Sequence, residues 1–313
     1  MASLSEMYGA TGAGTFFGLP ECRDLSRLEA DIVLLGASGC TPYASSGFYC
    51  ATGPQAIRAA GVAYGAAFGH MNFDLGGPVL PDGVVAVDAG DLPQDPDDGP
   101  GNRARIFGAI RLVLDAGAVP VLIGGDDSLP IPMLEAFGAR GRGFTILQID
   151  AHIDWRDEVQ GERLGLSSTM RRASEMGHIE RIIQVGQRGI GSARASDMRD
   201  ALDWGVAFVP CGEVARDGVW RAVDLVPEGS EVIICLDLDA LDPGVMPAVI
   251  GRTAGGMGYW QVLELIGGVA ERARIAGFDM VELMPERDID GQGALLAAQV
   301  LAGVLGVIAR QRG

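Results

Sequence analysis

Eight short apolar runs separated by helix-length segments constrain this chain more than any other feature. The runs are 31–37, 84–89, 119–123, 144–149, 182–186, 206–209, 232–238 and 278–283. Several are continuous rather than alternating, as strands covered on both faces must be. Helix-length segments lie between most of them, at 54–60, 102–116, 132–137, 168–176, 193–202, 213–223 and 259–276. Alternating strand and helix implies parallel pairing and an α/β sheet covered on both sides. The expected architecture is one three-layer α-β-α domain, 1–313, around a mostly parallel eight-stranded sheet. Residues 1–30 are expected as an N-terminal extension packing on that domain or on a neighbouring subunit. The polar stretch 94–101 reads as a loop, not a boundary.

Of the 313 residues 48% are hydrophobic, enough for a large core. The 47 glycines and 6% aromatics suit tight turns and close helix–sheet packing. A formal charge of -17 argues against nucleic acid and favours cationic partners such as metals, amines and guanidinium groups. The opening MASLSEMYGATGAG has no basic or apolar region of a signal peptide. The apolar stretch 294–309 contains Gln299 and is short for a membrane span, so it reads as a buried C-terminal helix. Five cysteines without a metal-type spacing fit free thiols in a reducing cytoplasm.

In open parallel sheets ligands sit beyond the carboxyl ends of the strands. Three strand ends carry chemistry. The run Val121–Ser128 ends in Gly124-Gly125-Asp126-Asp127-Ser128. Two glycines permit a sharp exit, and the plainer role for Asp127 or Ser128 is to cap a helix starting near Leu129–Pro130. The run Ile146–Glu158 carries Asp150-x-His152-x-Asp154, which share a face in extended geometry. An imidazole between two carboxylates is a divalent-metal pattern. The run Ile234–Pro243 carries Asp237-x-Asp239, with Asp242 beyond. Clustered aspartates after a strand are otherwise a solvated acidic turn. Together the ends offer more donors than one ion needs, which fits a two-metal site that acidifies a shared water.

These stretches resemble the ureohydrolase family of arginases and agmatinases, whose motifs are GGDHS, DAHxD and SxDxDxxDP. The resemblance covers nearly the whole chain. It extends to Gly14-Thr15-Phe16 with Leu19-Pro20, to Gly53-Pro54-Gln55-Ala56-Ile57-Arg58 and to Asp279-Met280-Val281-Glu282-Leu283-Met284-Pro285. The Gly-Thr-Phe start leans towards the agmatinase-like branch. The resemblance implies one ion on Asp127, Asp150, Asp154 and Asp237, and a second on Asp150, His152, Asp237 and Asp239. Both ions are expected to be Mn²⁺, with a bridging hydroxide that attacks a guanidinium carbon to give urea and an amine. Asp154 is expected to orient the attacking oxygen and pass its proton to the leaving amine, and Glu282 to pair with the substrate guanidinium. The family also implies a homo-trimer or homo-hexamer.

Three departures stand out. Asp127 occupies the GGDHS histidine position, adding charge, so five carboxylates face two dications. The S-H-G histidine is missing from Leu166-Ser167-Ser168-Thr169-Met170, leaving His70 as a candidate replacement and His178 as a surface residue. The loop after Pro243 differs in its middle, where Arg252 is a candidate for a substrate carboxylate or a solvated cation. The expected activity is hydrolysis of agmatine or another guanidino compound, such as a guanidino acid. A non-catalytic relative and an enzyme acting on an amide or formimino bond are the alternatives.

Overall fold

The continuous Val/Ile/Leu runs form strands, and every strand pairs in parallel. The computed structural model describes residues 14–313. The strands are β1 (Ile32–Gly36), β2 (Ala86–Asp91), β3 (Val119–Ile123), β4 (Phe144–Ile149), β5 (Ile179–Val185), β6 (Ala207–Val209), β7 (Glu231–Asp237) and β8 (Arg274–Val281). Their order in space is β2-β1-β3-β8-β7-β4-β5-β6. The central four, β3-β8-β7-β4, are therefore the strands whose ends carry the acidic motifs.

Alternation along each strand feeds two cores. In β1, Ile32 and Leu34 pack in one hydrophobic cluster, and Val33 and Leu35 in the other. The first cluster is covered by α1 (Gly53–Gly65), α6 (Cys211–Asp217), α7 (Trp220–Leu225), α8 (Tyr259–Arg272) and α9 (Gln292–Arg310). The second lies under α2 (Gly99–Asp115), α3 (Pro130–Phe137), α4 (Thr169–Ser174) and α5 (Ala195–Trp204). Among the described residues α9 is the one helix long and apolar enough to cross a membrane. Its most apolar window is 67% buried inside the protein, as a core helix is.

Several local expectations are corrected. The segment 213–223 is two helices, because Gly218 adopts φ +78° and breaks the run. The last helix before β8 stops at Arg272, since Arg274 already pairs with Glu231 of β7. Helix α3 has no side-chain cap: Ser128 Oγ instead accepts from Thr41 N at 2.9 Å and bonds Asp126. Gly125 answers a close approach, as a Cβ there would meet Ser38 O at 2.3 Å.

The segment from Phe16 onward lies against the β2 edge. Phe16 N donates to Asp88 Oδ2 at 2.7 Å, and Cys22 N to Asp88 O at 2.9 Å. Of the expected extension, residues 1–13 lie outside the described residues. Asp88 is fully buried yet well partnered. It accepts from Gly90 N at 2.7 Å and from Arg58 Nε at 2.9 Å, and the Arg58 guanidinium stacks 4.1 Å from the Phe16 ring. Removing one partner of a buried pair strands a charge. Arg58→Ala is therefore expected to lower stability by about 3–5 kcal/mol, read by urea denaturation; a loss below about 1 kcal/mol would show that the pair does not anchor this edge.

Candidate metal centre and active site

Parallel register sets the site. Ile149 of β4 lies opposite Leu236 of β7, so Asp150 and Asp237 leave the sheet side by side. On the other flank Gly124 N donates to Met280 O and Glu282 N to Gly125 O, each at 2.8 Å. These bonds bring the Gly-Gly-Asp-Asp turn against the end of β8.

Beyond the strand ends, simple alternation fails and turns do the gathering. Asp154 sits at φ +44°, so residues 150–154 are not an extended strand. Asp239 lies in a 3₁₀ turn, Leu238–Ala240, whose amide donates to Asp237 Oδ1 at 2.6 Å. The ligand atoms of Asp150, His152 and Asp239 nonetheless fall within 4.8 Å of one another. So do those of Asp127, Asp150 and Asp154. Asp150 is common to both groups. Asp237 belongs to neither triplet but lines the same cavity, of about 130 Å³, with Asp127, His152, Asp154, Asp239 and Glu282.

His152 Nδ1 lies 3.0 Å from Asp239 Oδ2 and 3.4 Å from Asp150 Oδ1. Its burial disfavours a charge, but the two carboxylates outweigh that and push its pKa up to about 12. Burial, then neighbouring carboxylates, hold Asp127, Asp154 and Asp237 well above the usual carboxylate range, and Asp150 is raised too. Glu282 is pushed up to about 8, by burial first and then by Asp126 and Asp239, while the Tyr49 hydroxyl and the Asp127 amide oppose the shift. Asp127 Oδ2 is buried without a hydrogen-bond partner among the described residues. Aggregated carboxylates of this kind, with one imidazole, fit two divalent cations. The oxygen-rich set suits Mn²⁺ or Mg²⁺ better than Zn²⁺.

A buried amide supports this group from below. Gln148 Nε2 donates to Asp150 Oδ2 and to Asp154 Oδ2, both at 2.7 Å. Gln184 in turn bonds Gln148 Oε1 and donates to Ile153 O at 2.8 Å. Sequence reasoning passed over Gln148, although it stands two residues before Asp150 on the same strand face. Tyr49 and Arg156, which stand on loops, were also missed because loop residues carry no spacing signal, as was Asp197 in the first turn of α5, which pairs with Arg156 at the cavity wall.

Other expected residues lie elsewhere. Arg252 does not line the cavity: its Nε donates to Pro247 O at 2.6 Å and its Nη2 to Arg287 O at 2.7 Å, bracing its own loop. His70 lines a separate cavity with Tyr64, Phe68 and Tyr259. The His178 ring packs against α3, with Nε2 2.9 Å from Leu134 O. Neither supplies the missing S-H-G imidazole; from that stretch Leu166 and Ser167 line the cavity.

Acidic side chains converging past the central strands of a parallel sheet, around a small polar cavity, are the layout of a metal-dependent hydrolytic centre. A family model described as "Arginase family" matches residues 30–306. The chain is 31% identical over 264 residues to the mitochondrial agmatinase of Gallus gallus, covering 82% of this chain and 75% of that protein. It is 30% identical over 267 residues to the mitochondrial guanidino acid hydrolase of Homo sapiens, covering 81% and 71%. Among solved structures, proclavaminate amidino hydrolase from Streptomyces clavuligerus superposes with a TM-score of 0.79 at 27% identity, over 96% of this chain and 98% of that one. The chain belongs to the arginase family of hydrolases.

Asp237→Asn tests the electrostatics, because Asn Oδ1 still accepts from Asp239 N. In chelator the variant is expected to be at least as stable as the parent, with one repelling charge fewer. Mn²⁺ at about 100 times its Kd is expected to stabilise the parent by about 2.7 kcal/mol and the variant by far less. Thermal unfolding with and without Mn²⁺ reads both effects; equal metal stabilisation of the two proteins would remove Asp237 from the site.

Proposed function

We propose that the protein is a dinuclear-metal amidinohydrolase that cleaves agmatine or a related guanidino compound, such as a guanidino acid, into urea and an amine. The observation that carries this reading is the pair of acid groups sharing Asp150, faced across one cavity by Glu282. Two divalent ions, most simply Mn²⁺, would acidify a shared water there. Asp127, Asp150, Asp154, Asp237, Asp239 and His152 would hold them. Asp154, whose Oδ2 accepts from Gln148, would orient the attacking water and carry its proton to the departing nitrogen. Glu282 is the buried carboxyl left to meet a guanidinium, whose positive charge would favour its ionised form.

The tail of the substrate meets Arg156 and Asp197, which bond each other at the cavity wall. A carboxylate-ended tail has Arg156 to meet, and an ammonium-ended tail has Asp197. The presence of both keeps amines and acids open as substrates, in line with relatives named for each. The grouping of Asp127 with Asp150 and Asp154 supports an active enzyme over a non-catalytic relative, since its carboxylate would help hold an ion there. Five free cysteines fit a reducing compartment such as the cytoplasm, and the family likeness supports a trimer or hexamer.

Purified protein loaded with Mn²⁺ is expected to release urea from a panel holding agmatine, guanidinobutyrate and other guanidino acids. Glu282→Gln is expected to lower kcat/KM at least a hundredfold while metal content by elemental analysis stays near two per chain. Metal-loaded protein that turns over no guanidine would overturn the assignment.

A further inference from the structure

The mechanism leaves one contact to Glu282 unused. Tyr49 stands in the loop before α1, 233 residues away in sequence, and its Oη donates to Glu282 Oε1 at 2.6 Å. The Asp127 amide donates to the same oxygen at 3.0 Å. Two donors match the acceptor capacity of Oε1, which has two lone pairs. Among the described residues Oε2 has only the Cys50 thiol at 3.9 Å, a weak donor.

A planar guanidinium reads a carboxylate through both of its oxygens, with two parallel N–H donors. Here that arrangement is blocked at Oε1. The phenol that blocks it is itself an acceptor once its proton points to Glu282, and Tyr49 and Glu282 line the cavity together. We propose that Tyr49 is a specificity-determining residue, its phenol oxygen and Glu282 Oε2 forming the acceptor pair that receives two N–H groups of the amidino substrate. This rests on the guanidino-hydrolase reading above. The phenol–carboxylate pair is wider than a carboxylate alone, so it suits N–H donors that diverge rather than the two parallel ones of a bidentate fork. The two diverging hydrogens of one terminal NH2 of the guanidinium meet that need.

Tyr49→Phe removes the hydroxyl and keeps the ring. Calorimetric binding of agmatine and guanidinobutyrate to the Mn²⁺-loaded protein gives the readout, with steady-state kinetics on whichever is turned over. The expected result is a Kd and KM about tenfold higher with kcat within about twofold, because one hydrogen bond to a charged ligand is lost equally in ground and transition states. Metal content and melting temperature are expected to match the parent. In a double-mutant cycle, Tyr49→Phe added to Glu282→Gln is expected to cost less than the two losses combined, as for groups that act as one unit. Unchanged or tighter binding by Tyr49→Phe would overturn the proposal, since it would make the phenol a bystander or an obstruction. Additive losses would do the same. A parent protein that binds neither guanidine would instead overturn the functional reading, and this assignment with it.

Discussion

Burying acids without enough cations is the constraint on which this structure turns. The sheet does so twice, with opposite solutions. At the β2 edge Asp88 is sealed from solvent but takes Arg58 and two backbone amides, Phe16 and Gly90. At the centre Asp127, Asp150, Asp154, Asp237 and Asp239 crowd one crevice with a single imidazole. Like charges in a low dielectric repel strongly, and desolvation adds to the cost. An edge built like the first is finished in itself. A centre built like the second is stable as a charged assembly only with cations from outside, so the two acid sites differ in purpose as well as in place.

The strand order explains why the crevice lies where it does. Four neighbouring strands, β3-β8-β7-β4, come from distant parts of the chain, yet all run the same way and end at one rim. Each contributes its acid at or just after its last residue, where the ladder no longer consumes backbone groups. The freed amides then orient the acids: Asp239 N holds Asp237, Ala151 N holds Asp239 at 3.1 Å, and His152 N holds Asp150 at 2.6 Å. Ligand placement is thus a consequence of parallel register plus a short chain of backbone donors.

Much of this was legible in the residues. Continuous apolar runs such as Val119–Ile123 mark strands because both faces are covered, and all eight runs became strands. Convergence of the acids was legible for a reason only half right. Alternation places Asp150 and Asp237 correctly, since both leave the sheet in register. It fails at Asp154 and Asp239, where left-handed backbone and a 3₁₀ turn set the direction. Arg252 shows the converse limit: a lone loop cation has no pattern that separates a ligand from a brace, and here it braces. Tyr49 and Arg156 reach the cavity only through loop conformation, which no periodicity encodes.

The backbone at the two expected catalytic acids supplies the remaining argument. Asp154 has φ +44° and Glu282 φ +72°, a region that side-chain-bearing residues enter at a cost of order 1–3 kcal/mol. Neither is a free loop residue able to relax. Met170 N and Arg171 N at the start of α4 both donate to Asp154 O at 3.1 Å, and Glu282 N is tied to Gly125 O. Strain persists only where the surroundings over-determine it. A relaxed extended backbone after β8 would send the Glu282 side chain to the other side of the chain, away from Asp127. The left-handed turn aims it into the cavity, and the amide of Asp127 then fixes its oxygen. Local distortion at these two residues, held by the rest of the sheet, is what converts a set of strand ends into a site facing a single point.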